Sequence, residues 1–472
     1  GFLMYKQGKY PIVSKKTLAK GIFDIEIYCP HIAKAAKAGQ FAQVQAEGFF
    51  LRRPISICDI DKDKGTIRLV FEVRGHGTDK ISELNKGDLV DIIAPLGNGF
   101  KVLEKGKKAV CIGGGIGTPP MVGIAKEYGF TVDFTTTNSS SSEVSAINTY
   151  ASKGYRAILL LSDDDIVTSV TAAAAKKMYI ICPTGHPTDA QLQEIRGNEY
   201  FLGSIAPTYD TEYEAGYNMA RYFAEEKKQT AFTVFGGATL YGSQMHVQRL
   251  AGILAYLCED PGTSYDGARR REELIAKISG TSLDPAKFVS GKDRITGYMD
   301  GFGFDDAFST KLTNSLEAGG TCILTVGAGE VVTKIAYGIT SANSKLGTCT
   351  VGGVDAITAD YAACFDLGYA YDCGKFASAM APSVIAVLAA TNGKKIKAPD
   401  GYAPKLGLNY WVATSKTALE EMLKSDNADS GYCYNRAVLD HYIEAASYEE
   451  LSGLCTADYA GAVAIHEKYN RK

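Results

Sequence analysis

The stretch "LRRPISI" (Leu51–Ile57) sets an arginine and a serine, Arg53 and Ser56, three residues apart around Pro54 and Ile55. A guanidinium pairs two-pronged with a phosphate or pyrophosphate, and a serine hydroxyl adds a hydrogen bond to the same ligand. Such a short pair on its own is more often a surface ion pair beside a solvated serine, since short motifs recur by chance. Here three more stretches follow it: "VFEVRGHGTDKIS" (Val70–Ser82), "PLGNGF" (Pro95–Phe100) and "IGGGIGTPP" (Ile112–Pro120). Gly113, Gly114, Gly115 and Gly117 let the backbone turn sharply after a strand and leave amides open to a phosphate at a helix N-terminus. Pro119 and Pro120 suit the first helical turn, where no N–H is required. Read alone, that turn is equally a tight strand–helix loop.

Other chemistries find little support. The eleven cysteines (29, 58, 111, 182, 258, 322, 349, 364, 373, 433 and 455) are scattered, and no two are spaced as C-x-x-C. No zinc or iron–sulfur spacing is present, so no metal site is expected, and the thiols read as reduced and buried, as in a cytosolic protein. His246, in "YGSQMHVQRLAGILAYL", sits on an amphipathic helix without a serine or cysteine partner in view, which reads as helix packing.

These residues need elements to position them. Residues 1–100 read as β-rich: "GIFDIEIYCP" (Gly21–Pro30) and "GTIRLVFEV" (Gly65–Val73) alternate apolar and polar side chains between glycine and charged turns, which suggests a small barrel. From residue 109 the pattern becomes strand–helix alternation. Candidate strands are Ala109–Gly113, Phe130–Phe134, Ala157–Leu161, Tyr179–Cys182, Tyr200–Ser204, Ala231–Phe235, Cys322–Val326, Gly347–Gly352 and Val412–Thr414. Helices are expected at Ser142–Gly154, Thr168–Met178 and Tyr213–Lys228. Such runs build parallel sheets covered by helices, here enough for two doubly wound lobes. "FASAMAPSVIAVLAA" (Phe376–Ala390) is short for a bilayer and holds Pro382, so it reads as a buried helix and no membrane span is expected.

In order and spacing, the four front motifs resemble the ferredoxin-reductase-like flavoproteins, and more narrowly the electron transfer subunit of NAD-dependent dihydroorotate dehydrogenase, over about residues 4–128. The resemblance implies a barrel that binds FAD through Arg53, Pro54, Ile55, Ser56, Val70, Phe71, Glu72, Gly77 and Thr78. It implies the start of an NAD(H) site at Gly113–Gly117, electron transfer in pyrimidine biosynthesis, and a dihydroorotate dehydrogenase catalytic subunit as partner. Two departures matter. That family ends its nucleotide domain in four clustered cysteines holding [2Fe–2S], which this sequence lacks, so no cluster is expected. The segments that complete the nicotinamide site are not recognisable, which leaves NAD(H) binding open.

From about Tyr128 the chain resembles type I periplasmic solute-binding proteins, the substrate-binding components of ABC transporters. The stretches that carry this are "KEYGFTVDFTTTNSSSSEVSAINTYASKGYRAILLLSDDD", "AAAAKKMYIICPTG", "YFLGSIAPTYDTEYEAGYNMARYF" and "KLGTCTVGGVDAITADYAACFDLGYAYDCGKF". The resemblance implies two α/β lobes that close on a small, sugar-like solute, with Asp163, Asp165, Tyr209, Asp210, Asp355 and Trp411 as candidate contacts. The plain reading of each is a solvated loop acid or a packed aromatic.

The expected architecture is thus a β-barrel FAD-binding domain (1–106) followed by two α/β lobes (107–472), whose first strand–helix, 107–128, is nucleotide-domain-like. The chain reads as chimera-like, and its charge agrees: residues 1–128 hold 20 Lys and Arg against 13 Asp and Glu, while the chain as a whole carries −3. No basic run with interleaved aromatics suggests nucleic-acid binding. The first residues, "GFLMYKQGKYPIVSKK", show no apolar secretory core, which reads as cytoplasmic, while the back part is of an extracytoplasmic type. Two readings stay open: a flavoprotein oxidoreductase carrying a solute module, and a non-catalytic solute-binding protein with a grafted front domain.

Overall fold

The computed structural model describes residues 6–19, 22–36, 40–49, 52–73, 75–96, 133, 135, 137, 139–161, 165–289, 294–427 and 432–470. The chain divides into two compact units, Gly1–Glu104 and Lys105–Lys472.

In the first unit, six antiparallel strands close a barrel: β1 (Lys6–Ala19), β2 (Ile22–Tyr28), β3 (Phe41–Val44), β4 (Arg53–Asp61), β5 (Thr66–Glu72) and β6 (Leu89–Leu96), in the order β1-β2-β5-β4-β3-β6 with β6 returning to β1. Alternation dictates this. Ile25 and Ile27 on β2, Ile55 and Ile57 on β4, Ile67, Leu69 and Phe71 on β5, and Val90, Ile92 and Ala94 on β6 all fill one interior. Helix α1 (Pro30–Ala35) plugs the barrel with Ile32 and Ala33, and α2 (His76–Ser82) follows β5.

Among the described residues, the second unit is built on two mainly parallel sheets, one to each lobe, with a small antiparallel pair beside them. In the first lobe, strands β7 (Ala157–Leu159), β8 (Tyr179–Cys182) and β9 (Phe201–Ala206) pair side by side. Helices α3 (Ser140–Ser152), α4 (Ile166–Ala175) and α5 (Asp189–Ile195) alternate with them. Ser139, Asp165 and Thr188 cap these helices by accepting from the backbone of Ser142, Thr168 and Gln191. Both faces of the sheet are covered, so β8 and β9 read as continuous apolar runs.

The chain then enters the second lobe through α6 (Tyr209–Arg221), whose end widens into a π turn, and β10 (Ala231–Phe235). Helix α7 (Gln244–Leu257), β11 (Ser264–Tyr265), α8 (Arg271–Ile278) and β12 (Phe288–Val289) follow. Next come β13 (Arg294–Met299), α9 (Asp306–Glu317), β14 (Cys322–Thr325), α10 (Gly329–Ala342), β15 (Thr350–Ala356), α11 (Asp360–Phe365) and β16 (Tyr369–Lys375).

Helix α12 (Ala381–Thr391) returns to the first lobe, packing on β8 and β9, and β17 (Lys405–Gly407) extends that sheet beside β9. Then β18 (Trp411–Ala413) crosses back to pair antiparallel with β16. Helices α13 (Lys416–Ser425), α14 (Arg436–Ala445), α15 (Tyr448–Cys455) and α16 (Tyr459–Asn470) finish the chain.

The second lobe's sheet runs β13-β10-β14-β15-β16-β18, so its first strand lies between its second and third. This is the doubly wound order whose crevice opens outside the carboxyl ends of the first and third strands. Among the described residues, the backbone passes between the lobes three times, after β9, after β16 and after β17. The crossings are tied together. The Leu408 N–H donates to the Ala206 carbonyl at 2.9 Å, and Phe376 stacks flat on Trp411 at 3.7 Å. The barrel followed by two doubly wound lobes is the architecture expected from the sequence. Among the described residues, no helix is long and apolar enough to cross a membrane.

Candidate functional site

In the barrel, the register of β4 on β5 sets Ile57 opposite Leu69. The strands being antiparallel, the start of β4, with Arg53 to Ser56, and the end of β5, with Val70 to Glu72, come to the same end of the barrel. Helix α2 begins four residues after β5 and brings Gly77 and Thr78 to that end. The juxtaposition is tight. A methyl group on Gly77 would collide with Nε and Cζ of Arg53, so the guanidinium rests against bare backbone. The ring of Phe49 lies 5.3 Å from Arg53 Cζ. The Thr78 hydroxyl donates to the Gly75 carbonyl at 2.9 Å and accepts from the Gly75 N–H, fixing the turn into α2. Ile55 and Phe71 face the barrel core, Pro54 is exposed and Val70 is half-buried. Ser56 pairs with Phe41 and Glu72 with Ile22 through their backbones.

Gly113, Gly114, Gly115 and Gly117 lie outside the described residues, as does Asp163. Of the other back-part candidates, Asp165 caps α4 by accepting from the Thr168 N–H at 3.2 Å, and hydrogen bonds from the Thr168 side chain and backbone lower its pKa. Tyr209 is exposed, and Asp210 is an exposed partner of Arg271. Asp355, at the carboxyl end of β15, accepts from the Tyr361 hydroxyl at 2.9 Å. Trp411 is 1% exposed inside the crossing stack, and its indole N–H has no hydrogen-bond partner among the described residues.

At the carboxyl ends of β13, β10 and β14 in the second lobe stand residues that the sequence did not offer as ligand contacts. After β13, Asp300 has a buried Oδ2 without a hydrogen-bond partner among the described residues, and Phe302 follows with half its surface exposed. After β10, the Gly236–Gly237 turn leads to Tyr241, 74% exposed. His246 lies beneath, 6.0 Å from the Phe302 ring. Its Nδ1 accepts the Ala238 N–H at 2.8 Å, so the ring proton sits on Nε2, on the Gly327 side. Burial, with the charge of Arg249 adding to it, pushes this imidazole down to about 4. Between the lobes Lys375 ends β16, and burial holds its ammonium below the usual range. The sequence signal there was "MDGFGF" (Met299–Phe304), an acid and aromatics spaced by glycines.

A buried network joins crossing and crevice. Arg249 on α7 donates through Nε to Glu212 at 2.6 Å, through Nη1 to the Val326 and Val354 carbonyls at 2.7 and 2.9 Å, and through Nη2 to Tyr410 at 3.0 Å. Tyr410, just ahead of β18, donates to the other oxygen of Glu212 at 2.6 Å. These bonds fix the ends of β14 and β15 against the third crossing. His186, at the carboxyl end of β8, spans Ser204 and the Ala206 carbonyl, both at 2.8 Å.

No family model matches the chain. Over 124 residues it is 39% identical to the dihydroorotate dehydrogenase B (NAD(+)) electron transfer subunit of Bacillus mycoides (strain KBAB4), and 37% identical to that of Bacillus cereus (strain AH187). The front quarter of the chain is similar to that subunit. The chain spans about half the length of the curated relatives it matches, 48% of each. Among solved structures, an ABC transporter periplasmic solute-binding protein from Actinobacillus succinogenes 130z with bound D-allose is 15% identical, with a TM-score of 0.47 over 67% of this chain and all of that one. A galactofuranose binding protein gives 0.43 at 11% identity over 69% of this chain and all of that one. An NADH-dependent reduced ferredoxin-NADP oxidoreductase gives 0.25 at 20% identity over 37% of this chain and 75% of that one.

Proposed function

We propose that the barrel of Gly1–Glu104 binds FAD and serves as the flavin module of an electron-transfer oxidoreductase. The observation that supports this is the contact of Arg53 with Gly77. It forms a cradle in which a cation and unshielded backbone meet at one end of the barrel, the chemistry a pyrophosphate requires. The similarity to the electron transfer subunits supports the choice of FAD over another nucleotide.

In this reading Arg53 pairs with the pyrophosphate, Gly77 leaves room for it, and Thr78 fixes the turn around it. Pro54, Ile55, Ser56, Val70, Phe71 and Glu72 supply the strand edges along which the rest of the cofactor lies. Bound flavin would supply one- and two-electron chemistry, and an acceptor would have to reach the flavin edge itself. NAD(H) as donor, through Gly113–Gly117, and a dihydroorotate dehydrogenase catalytic subunit as acceptor belong to the same proposal.

The test is a native mass spectrum with visible absorbance of the purified chain. One FAD per chain and a flavin spectrum are expected. An intact chain without flavin after FAD is added overturns the reading.

A second reading is favoured by the crevice. Asp300 offers an unsatisfied acceptor, His246 a ring N–H and Phe302 an aromatic face, the set a small polyhydroxylated ring uses: carboxylate to hydroxyl, ring face to aromatic. We infer that Lys105–Lys472 binds such a solute, with Asp355 and Tyr209 among the residues at the carboxyl ends of the strands. Saturating sugars should raise the unfolding temperature of this unit, and Asp300→Asn should abolish the rise. No shift with any monosaccharide or polyol removes this reading.

A further inference from the structure

Phe49 belongs to no motif of the sequence, yet the chain invests several interactions in its position. It closes a turn in which its N–H donates to the Ala46 carbonyl at 3.2 Å, and Gly48 takes φ +83°, a conformation suited to glycine. The side-chain amide of Gln45 reaches across the turn to the carbonyls of Ala46 and Phe49, at 3.0 and 2.5 Å. The Gln45 N–H in turn donates to Asp91 of β6 at 2.9 Å, so the turn is tied to the barrel wall. The Phe49 ring packs on the barrel core and lies 5.3 Å from Cζ of Arg53, within cation–π reach.

An arginine at the rim of a barrel has several rotamers available, and only some carry its guanidinium to α2. The ring of Phe49 and the missing side chain of Gly77 meet the same group: one attracts it, the other makes room for it. We propose that Phe49 is a positioning residue for flavin binding, holding the Arg53 guanidinium against Gly77 in the orientation that receives the pyrophosphate. This rests on the FAD reading above and adds a residue to it. Phe49 does not touch the phosphate and acts only through Arg53. The benefit is preorganisation, since an arginine already in place loses less rotamer freedom when the ligand arrives.

The experiment is a double-mutant cycle on the full chain, read by quenching of FAD fluorescence on binding. Phe49→Leu should weaken FAD binding about three- to fivefold, the range of a partly desolvated cation–π contact. Phe49→Tyr, which keeps the ring, should restore it. In an Arg53→Gln background, Phe49→Leu should cost nothing further, because the group it acts through is gone. A purely structural role in the turn or core gives the same loss in both backgrounds, and that result overturns the proposal while leaving the FAD reading intact. A wild-type chain that binds no FAD overturns both. A Phe49→Leu chain that binds as tightly as wild type overturns the proposal alone.

Discussion

Replacing Arg249 by methionine tests whether the network at the third crossing holds the second unit together. The guanidinium is 3% exposed and satisfies a carboxylate, two strand-end carbonyls and a tyrosine hydroxyl. Methionine refills most of the volume but leaves Glu212, itself 4% exposed, with only the Tyr410 hydroxyl. Breaking a buried pair by removing one partner costs about 3–5 kcal/mol, because the remaining charge stays desolvated. Spread over the unfolding entropy of a unit the size of Lys105–Lys472, that is a fall of about 4–6 °C in Tm. Removing the second charge as well, in Arg249→Met/Glu212→Gln, should recover about 2 kcal/mol and leave the penalty of the two stranded carbonyls. The assay is tryptophan fluorescence, excited selectively over tyrosine, during thermal and urea unfolding. Trp411 is the only tryptophan in the chain and is stacked on Phe376 at the crossings, so the signal reports this unit alone. A single variant that loses less than about 1 kcal/mol, or a double variant no more stable than the single, would refute the reasoning.

Three shorter predictions follow from the same packing. Burial lowers the imidazoles of His186 and His246 from 6.5 to about 4, so the unfolded chain takes up each proton first. Their contribution is therefore intact above pH 6.5 and is lost as pH falls toward 4, by up to about 3 kcal/mol each. Buried Asp372 and Asp426 have raised pKa values and work in the opposite direction. The measurement is accordingly the difference in acid midpoint between wild type and His186→Gln, which should shrink the loss. Gly216→Ala should destabilise the second unit by more than about 3 kcal/mol, since its methyl would enter the backbone carbonyl of Arg249, where no side chain can yield; circular dichroism melts check it. Gly77→Ala meets only the far end of the Arg53 side chain, so the barrel should melt as wild type while FAD binding, read by fluorescence quenching, falls by about tenfold or more.

Strands buried on both faces were legible because they are short unbroken apolar runs: Tyr179–Cys182 and Ala231–Phe235 lie where the pattern puts them. Helix α12 was legible for the same reason, apolar all round with Pro382 in its first turn. Strands β13 and β16 were not. "RITGYM" carries Gly297 where β-branched residues are expected, and "YAYDCGK" places Asp372 and Gly374 in mid-strand. What makes them strands is their neighbours. Gly297 admits Ser315 of α9 against the sheet, and Gly374 admits the Asp355 backbone of β15. Such glycines mark close approach, which pattern alone reads as a turn.

The candidate sites divide in the same way. In the barrel, the motif residues are local, so their juxtaposition could be read from the sequence: Arg53 and Ser56 share a strand, Gly77 and Thr78 share a turn, and the antiparallel register brings both to one end. In the back unit, residue type misled. Trp411 was attractive as an aromatic and Asp165 as an acid, yet one is enclosed in the crossing stack and the other ends a helix. The crevice residues Asp300, Phe302 and His246 are brought together by strand order, with β10 set between β13 and β14, and no spacing along the chain encodes that. One anomaly did point there. Arg249 stands near the start of a buried helix, "HVQRLAGILAYL", and a charge so placed requires a carboxylate and carbonyls within reach. Those partners are Glu212 and the ends of β14 and β15. A buried charge on an apolar helix was therefore a better guide to this unit than its surface acids or its lone tryptophan.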